Sequence, residues 1–256
     1  MIVKLDNTYN DKLMKYLKKE PEFNLFIIGD IDRYGYNNYF FNIWGDINRD
    51  GELEGILVKY FDFIIVYSYS KFNIDKFMNL INRLDYSEIS GKSEIISQLS
   101  NRIDLRKIRT VNLSKLDREI AYTNRSSRIK VKKVRFGNLK RIVRLYELID
   151  EFENTNIDCI KNGLKTGRGY CIEVNKQVVA MAKSTSENKT HAMIVGVGTH
   201  PNYRNKGLAT RCIVRICNEL LSEGKIPCLF YDNEEAGKIY KKLGFENIGF
   251  WSIGYR

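Results

Sequence analysis

Residues 191–224, HAMIVGVGTHPNYRNKGLATRCIVRICNELLSEG, restrict the fold more than any other part of the chain. Residues 192–198 are apolar and read as a buried strand, which ends in a turn at His200 and Pro201. The segment Arg204-Asn205-Lys206-Gly207-Leu208-Ala209 then opens directly into a helix with apolar positions at Ala209, Cys212, Ile213, Ile216, Leu220 and Leu221. A helix that begins on a glycine turn presents unpaired backbone N–H groups and the positive end of its dipole, and Arg204 and Lys206 add charge at that point. Such a junction is a socket for a phosphate or pyrophosphate. Gly207 suits it, because a side chain there would block close approach of the backbone to the anion.

Two common phosphate ligands are excluded by spacing. The loop has no Lys-Ser/Thr ending to hold a metal-bound nucleoside triphosphate and no Gly-x-Gly-x-x-Gly to hold a dinucleotide. It has Arg-x-x-Gly-x-Ala after a strand that ends Val-x-Thr-x-Pro. Further on, residues 227–232 read as a strand, and Asn233 to Phe245 fits Asn-x-x-Ala-x-x-x-Tyr-x-x-x-Gly-Phe. With these two motifs in this order and spacing, the C-terminal half resembles the GNAT acyltransferase superfamily.

The resemblance implies a GNAT fold of α/β (α+β) type, a mixed and mostly antiparallel sheet flanked by helices, with acetyl-CoA as cosubstrate. It implies that backbone groups of Val197 and Thr199 pair with the pantetheine arm and aim an N–H at the thioester oxygen. Arg204, Asn205, Lys206, Gly207, Leu208 and Ala209 hold the pyrophosphate. It implies that Asn233 contacts the arm or a water near it, and that Tyr240 is the general acid that protonates the departing thiolate. The implied activity is direct transfer of an acetyl group to a primary amine; the alternative is a GNAT scaffold that binds CoA or a partner without turnover. A general base is not evident, since residues 192–199 contain no carboxylate. Glu187 and His191 are the nearest titratable groups. Tyr146, Asp150, Glu151, Phe152 and Glu153 are placed by the resemblance near the acceptor.

The five cysteines, Cys159, Cys171, Cys212, Cys217 and Cys228, lie on apolar faces without Cys-x-x-Cys spacing and read as small buried hydrophobes. His191 and His200 do not have zinc-site spacing, so no metal is expected. Residues 1–120 carry 18 basic and 18 acidic side chains, whereas residues 121–256 carry 24 and 13, the whole net charge of +11. Nine basic and no acidic residues fall within 125–144. That run suits a solvated face or a polyanion such as the CoA 3′-phosphate. A nucleic-acid partner is not expected, because no aromatic stacking motif accompanies the charge. No apolar run is long enough to span a bilayer and the first ten residues lack a signal pattern, so a cytoplasmic chain without a membrane partner is expected. The expected partner is a small-molecule or peptide amine, and the expected state is a monomer or homodimer.

Residues 1–120 read as a helical start over 4–19, a patch at 24–30, strands at 39–44, 53–60 and 63–69, and then helix 73–84, strand 87–91, helix 93–101 and strand 107–113. This layout repeats that of the second half without its motifs, and resembles a degenerate GNAT-like domain (1–120) before a GNAT domain (121–256). Gly91-Lys92 is the nearest thing there to a phosphate turn. Residues 114–128 are polar and read as a linker. Strand 129–134, helices 138–149 and 156–164, and a hairpin around Asn175-Lys176 precede the central strand.

Overall fold

Each half of the chain builds the same series of elements, because each repeats the same pattern of amphipathic and fully apolar segments. The computed structural model describes residues 1–36, 38–121, 129–152 and 157–256, without the side chain of Cys159. It divides into two units, Met1–Leu113 with Ile248–Arg256, and Ser114–Asn247.

The first series runs β1 (Ile2–Lys4), α1 (Asn10–Leu17), α2 (Leu25–Tyr34), β2 (Phe41–Ile47), β3 (Leu53–Tyr60), β4 (Phe63–Tyr67), α3 (Ile74–Ile81), β5 (Glu88–Lys92), α4 (Ser93–Leu99) and β6 (Lys107–Lys115). The second runs β7 (Val131–Lys133), α5 (Leu139–Tyr146), α6 (Ile157–Gly163), β8 (Gly169–Val174), β9 (Gln177–Thr185), β10 (His191–Thr199), α7 (Leu208–Ser222), β11 (Ile226–Tyr231), α8 (Glu234–Lys242) and β12 (Glu246–Tyr255). In the first unit the strands lie in the order β1-β2-β3-β4-β5-β12-β6, and in the second β11-β10-β9-β8-β7. β4 pairs with β5, and β10 with β11, in parallel.

The apolar run Val178-Val179-Ala180-Met181-Ala182 of β9 is buried throughout because both faces of the second sheet are covered. Val179, Ala180 and Ala182 join the cluster of α7 and α8, whereas Val178 and Met181 join that of α5 and α6. α7 buries Leu208, Cys212, Ile213, Ile216, Cys217 and Leu220, one face of a 3.6-residue period. Asn175 and Lys176 both have positive φ (49° and 62°), as a two-residue type I′ hairpin turn needs. Cys171, Cys212, Cys217 and Cys228 are buried thiols outside any disulfide, and burial pushes the Cys171 thiol up to about 11, so these four pack as small hydrophobes. No helix among the described residues is long and apolar enough to cross a membrane.

Three features differ from the sequence reading. Residues 4–19 do not form one helix: Lys4 pairs with Trp44 in β1, and Asp6 accepts from Thr8 N–H to start a separate turn before α1. Residues 114–121 are not a free linker, since Leu116 is fully buried and donates to Pro227 C=O, and Asn218 clamps both backbone groups of Ile120. The rest of that stretch, with Arg125 and Arg128 of the basic run, lies outside the described residues. Finally, the chain divides after Leu113 rather than at 120, and Ile248–Arg256 goes with the first unit: β12 pairs antiparallel with β5, from Trp251 opposite Lys92 to Tyr255 opposite Glu88. Strand pairing is a long-range choice that local pattern does not encode.

Candidate functional site

The socket expected for a phosphate begins with the backbone of residues 204–207. Asn205 and Gly207 have φ of 61° and 66°, so two left-handed residues alternate along this short loop and turn its N–H groups inward as an anion nest. Gly207 is also the N-cap of α7, with no side chain capping the helix and no acidic residue in its first turn. The first intrahelical bond runs from Arg211 N–H to Gly207 C=O, which leaves the N–H groups of residues 207–210 without an intrahelical acceptor. Arg204, Asn205, Lys206 and Gly207 are exposed, Lys206 Nζ resting 5.2 Å over the Tyr203 ring. Leu208 contributes only its backbone there, because its side chain is buried in the core; Ala209 is half-buried. Nest, uncapped helix and cationic rim together fit a pyrophosphate.

The same edge of the sheet is where β10 loses its neighbours. Pairing with β11 runs from His191 opposite Ile226 to Ile194 opposite Leu229 and stops. Pairing with β9 shifts register between Val195 and Gly198 and resumes at Gly198 opposite Met181 and Thr199 opposite Ala180. Gly196 and Val197 therefore have no ladder partner on either side. Gly196 sits at φ 62° in this bulge, and its carbonyl accepts a 2.7 Å hydrogen bond from the Tyr146 hydroxyl. A gap between two parallel strands at their carboxyl ends is the usual place for a ligand in such sheets.

α8 enters from the same side, since it follows β11 as α7 follows β10. Asn233 is its N-cap, accepting from Glu235 and Ala236 N–H at 2.9 and 3.1 Å, so its side-chain oxygen holds the helix start. At the other end Gly244 (φ 97°) donates to Lys241 C=O and Phe245 to Tyr240 C=O, a Schellman closure with the Phe245 ring 5.9 Å from that of Tyr240. Tyr240 is 8 % exposed and also packs 5.6 Å from the Tyr231 ring. Burial, with Cys217 nearby, pushes its hydroxyl up to about 12. It shares one hydrophobic cluster with Leu208, against which Val197 and Tyr203 pack.

Glu187 and His191 are not brought to this edge. They stand at the start of β10, and the nine-residue strand puts roughly 25 Å between its ends. Glu187 is an ion-pair partner of Arg168 (2.7 Å) and Lys225 (3.1 Å) and accepts from Ser184 at 2.5 Å. Burial alone would raise its pKa, but these donors hold it below the usual carboxylate range. His191 is buried, its Nδ1 2.8 Å from the Thr190 hydroxyl. Neither is a base for chemistry at the loop, because charge pairing and strand direction fix both elsewhere. Of the acceptor-side residues, Tyr146 is buried, Phe152 lies 4.4 Å from it ring to ring, and Asp150 and Glu151 are exposed; Glu153 lies outside the described residues. Among the described residues no His, Cys, Asp and Glu group is arranged to hold a metal ion.

In the first unit the corresponding loop, residues 68–73, has no positive-φ residue and so no nest. Gly91 serves close packing of β4 and β5, because a Cβ there would overlap Val66 C=O. Lys92 is ion-paired with Glu20 and lies over the rings of Phe23 and Tyr67, which engages its charge inside that unit. Part of the basic run is likewise engaged: Lys132 and Arg141 pair with Glu173 at 3.1 and 2.8 Å.

Solved structures share this architecture. A Drosophila protein is 9 % identical with a TM-score of 0.73 over 100 % of this chain and 98 % of its own. A tandem GNAT protein from the clavulanic acid biosynthesis pathway is 12 % identical with a TM-score of 0.61 over 100 % of this chain and 98 % of its own. A GNAT-family protein from Novosphingobium aromaticivorans is 18 % identical with a TM-score of 0.50 over 59 % of this chain, which spans 65 % of that protein, a little under two thirds. At these identities the likeness is one of fold. Among curated proteins nothing matches. A family model described as GNAT acetyltransferase matches residues 67–253, most of the chain. With that match over both motifs and the fold to accompany it, this chain belongs to the GNAT acetyltransferase family.

Proposed function

We propose that the protein is an acetyl-CoA-dependent N-acetyltransferase that moves the acetyl group directly to a primary amine, with the C-terminal unit as the active one. The observation that carries this reading is the left-handed pair Asn205 and Gly207 at the uncapped start of α7, beside the point where β10 and β11 part. Acetyl-CoA, when bound, supplies the activated acyl group as a thioester. The residues at 204–209 hold its pyrophosphate through backbone N–H groups and the charges of Arg204 and Lys206. Val197 N–H, unpaired in the bulge, donates toward the thioester oxygen, and Tyr240 keeps a proton for the departing sulfur. The amine arrives neutral or loses its proton to water, since no carboxylate of β10 serves as base. The acceptor is a small molecule or peptide, and we place the reaction in the cytoplasm.

Calorimetric titration with acetyl-CoA and CoA tests the reading, on wild type and on Gly207→Glu. Saturable binding that the substitution removes is the expected result, because the new carboxylate enters the nest and repels the anion. Release of free thiol with a panel of amines then reports turnover. Absence of binding by wild type overturns the reading. The missing base on β10 favours one second reading, a CoA-binding scaffold without turnover, which predicts binding and no thiol release with any amine.

A further inference from the structure

From the geometry of the β10 bulge we infer that Tyr146 is a positioning residue for acyl transfer: its hydroxyl fixes the peptide unit Gly196–Val197 so that Val197 N–H points at the thioester carbonyl. The inference rests on the acyltransferase reading above. A trans peptide holds its C=O and N–H antiparallel in one plane, so whatever fixes the direction of Gly196 C=O also fixes that of Val197 N–H. In a ladder both would be held by neighbouring strands. Here neither residue is paired with β9 or β11, and the unit could rotate about its flanking dihedrals. The Tyr146 hydroxyl, at 2.7 Å from the carbonyl oxygen, is the bond that holds it.

Tyr146 is built to be a fixed point. It is 1 % exposed at the C-terminal end of α5, in a cluster with Leu139, Ile142, Leu145 and Met181, with its ring against Phe152. Its hydroxyl also lies 3.5 Å from Met181 Sδ. Burial, with Cys212 nearby, pushes the phenol well above its usual range, so it stays a hydrogen-bond donor through any pH at which an amine is acylated. A Cβ at Gly196 would overlap this hydroxyl, so bulge and tyrosine fit only with glycine there. Because α5 holds the hydroxyl to one side of β10, Val197 N–H is turned to the other. A donor aimed before the reaction begins is worth more than one that must be reoriented during it.

Tyr146→Phe keeps the ring and removes the bond. We expect kcat to fall on the order of 10- to 100-fold, the range of a misdirected oxyanion donor, with KM for acetyl-CoA, CoA affinity and the melting temperature nearly unchanged. A residue that only supports the fold would instead lower CoA affinity and stability together. A second measurement is independent of turnover: a ketone analogue of acetyl-CoA, with the carbonyl but no leaving sulfur, should bind wild type more tightly than CoA does, and Tyr146→Phe should lose that increment alone. As a check on the contact, Gly196→Ala should destabilise less in the Tyr146→Phe background than in wild type. Unchanged kcat in the variant, or an increment that survives it, overturns the inference while leaving the acyltransferase reading intact. Failure of wild type to bind CoA at all overturns the reading beneath it.

Discussion

A phenol surrounded by Tyr231, Phe245 and Leu208's cluster keeps its proton, and that suits Tyr240 to the general-acid role proposed for it. With the hydroxyl pushed up to about 12, this proposed acid is protonated across neutral pH. The sign of the resulting pH dependence is fixed: loss of an essential acid lowers the rate only as pH rises through its own pKa. The rate with an amine acceptor should therefore climb with pH as the ammonium deprotonates, and show no descending limb from Tyr240 below about pH 11. Tyr240→Phe should reduce turnover on the order of 100-fold while leaving CoA affinity as it is, which single-turnover kinetics beside calorimetry would read. Tyr240 was legible from its motif, whereas Tyr146 was legible only as a residue on the acceptor side. Its bond to Gly196 joins residues 50 positions apart, and nothing in either local sequence announces it.

At the scale of one element, α8 shows why a short signature can specify a site. Asn233, Gly244 and Phe245 of that signature are the N-cap, the left-handed C′ residue and the hydrophobic closure of the helix that carries Tyr240. The side-chain oxygen of Asn233, read from the sequence as a contact to the arm or a water near it, accepts from Glu235 and Ala236 N–H. Asn233→Ala should cost about 1 kcal/mol and Phe245→Ala, which empties a packed position beside Tyr240, on the order of 3 kcal/mol. Denaturant unfolding measures both, and a larger loss for Asn233→Ala than for Phe245→Ala would contradict this assignment. Caps and closures are legible because they depend on residues within a turn of each other. The β10 bulge was not, because a register slip is defined only against the partner strand.

At the scale of the whole molecule, the second unit carries an ionic network at the end of β10 opposite the 204–207 loop. Arg168 reaches Glu187, Glu219 and Glu223 at 2.7, 2.8 and 2.5 Å, and Lys225 joins Glu187 and Glu223. Hydrogen bonding to Arg168 holds Glu223 at about 2, and Glu187 and Glu219 are also held below their usual range against the effect of burial. A carboxylate whose pKa is lower folded than unfolded stabilises fully above the unfolded value of about 4.5, and that contribution is lost as pH falls through the folded one. Thermal melts should thus be flat from pH 7 to about 5 and fall progressively below about 4.5. Arg168→Met, which leaves two half-buried carboxylates and one exposed one short of a partner, should cost on the order of 1 kcal/mol near neutrality and blunt the acid dependence. By itself the sequence determined the element series from β2 to α8, the amphipathic faces, the glycine turn that opens α7 and the helix that carries Tyr240, because periodicity, caps and positive-φ turns are set by residues close in the chain. Tertiary structure alone decided that Ile248–Arg256 pairs in the first unit, that Glu187 and His191 face away from the loop, and that Tyr146 holds the bulge. Those outcomes depend on strand order and on which end of β10 a residue occupies, and both are fixed only when distant segments pair.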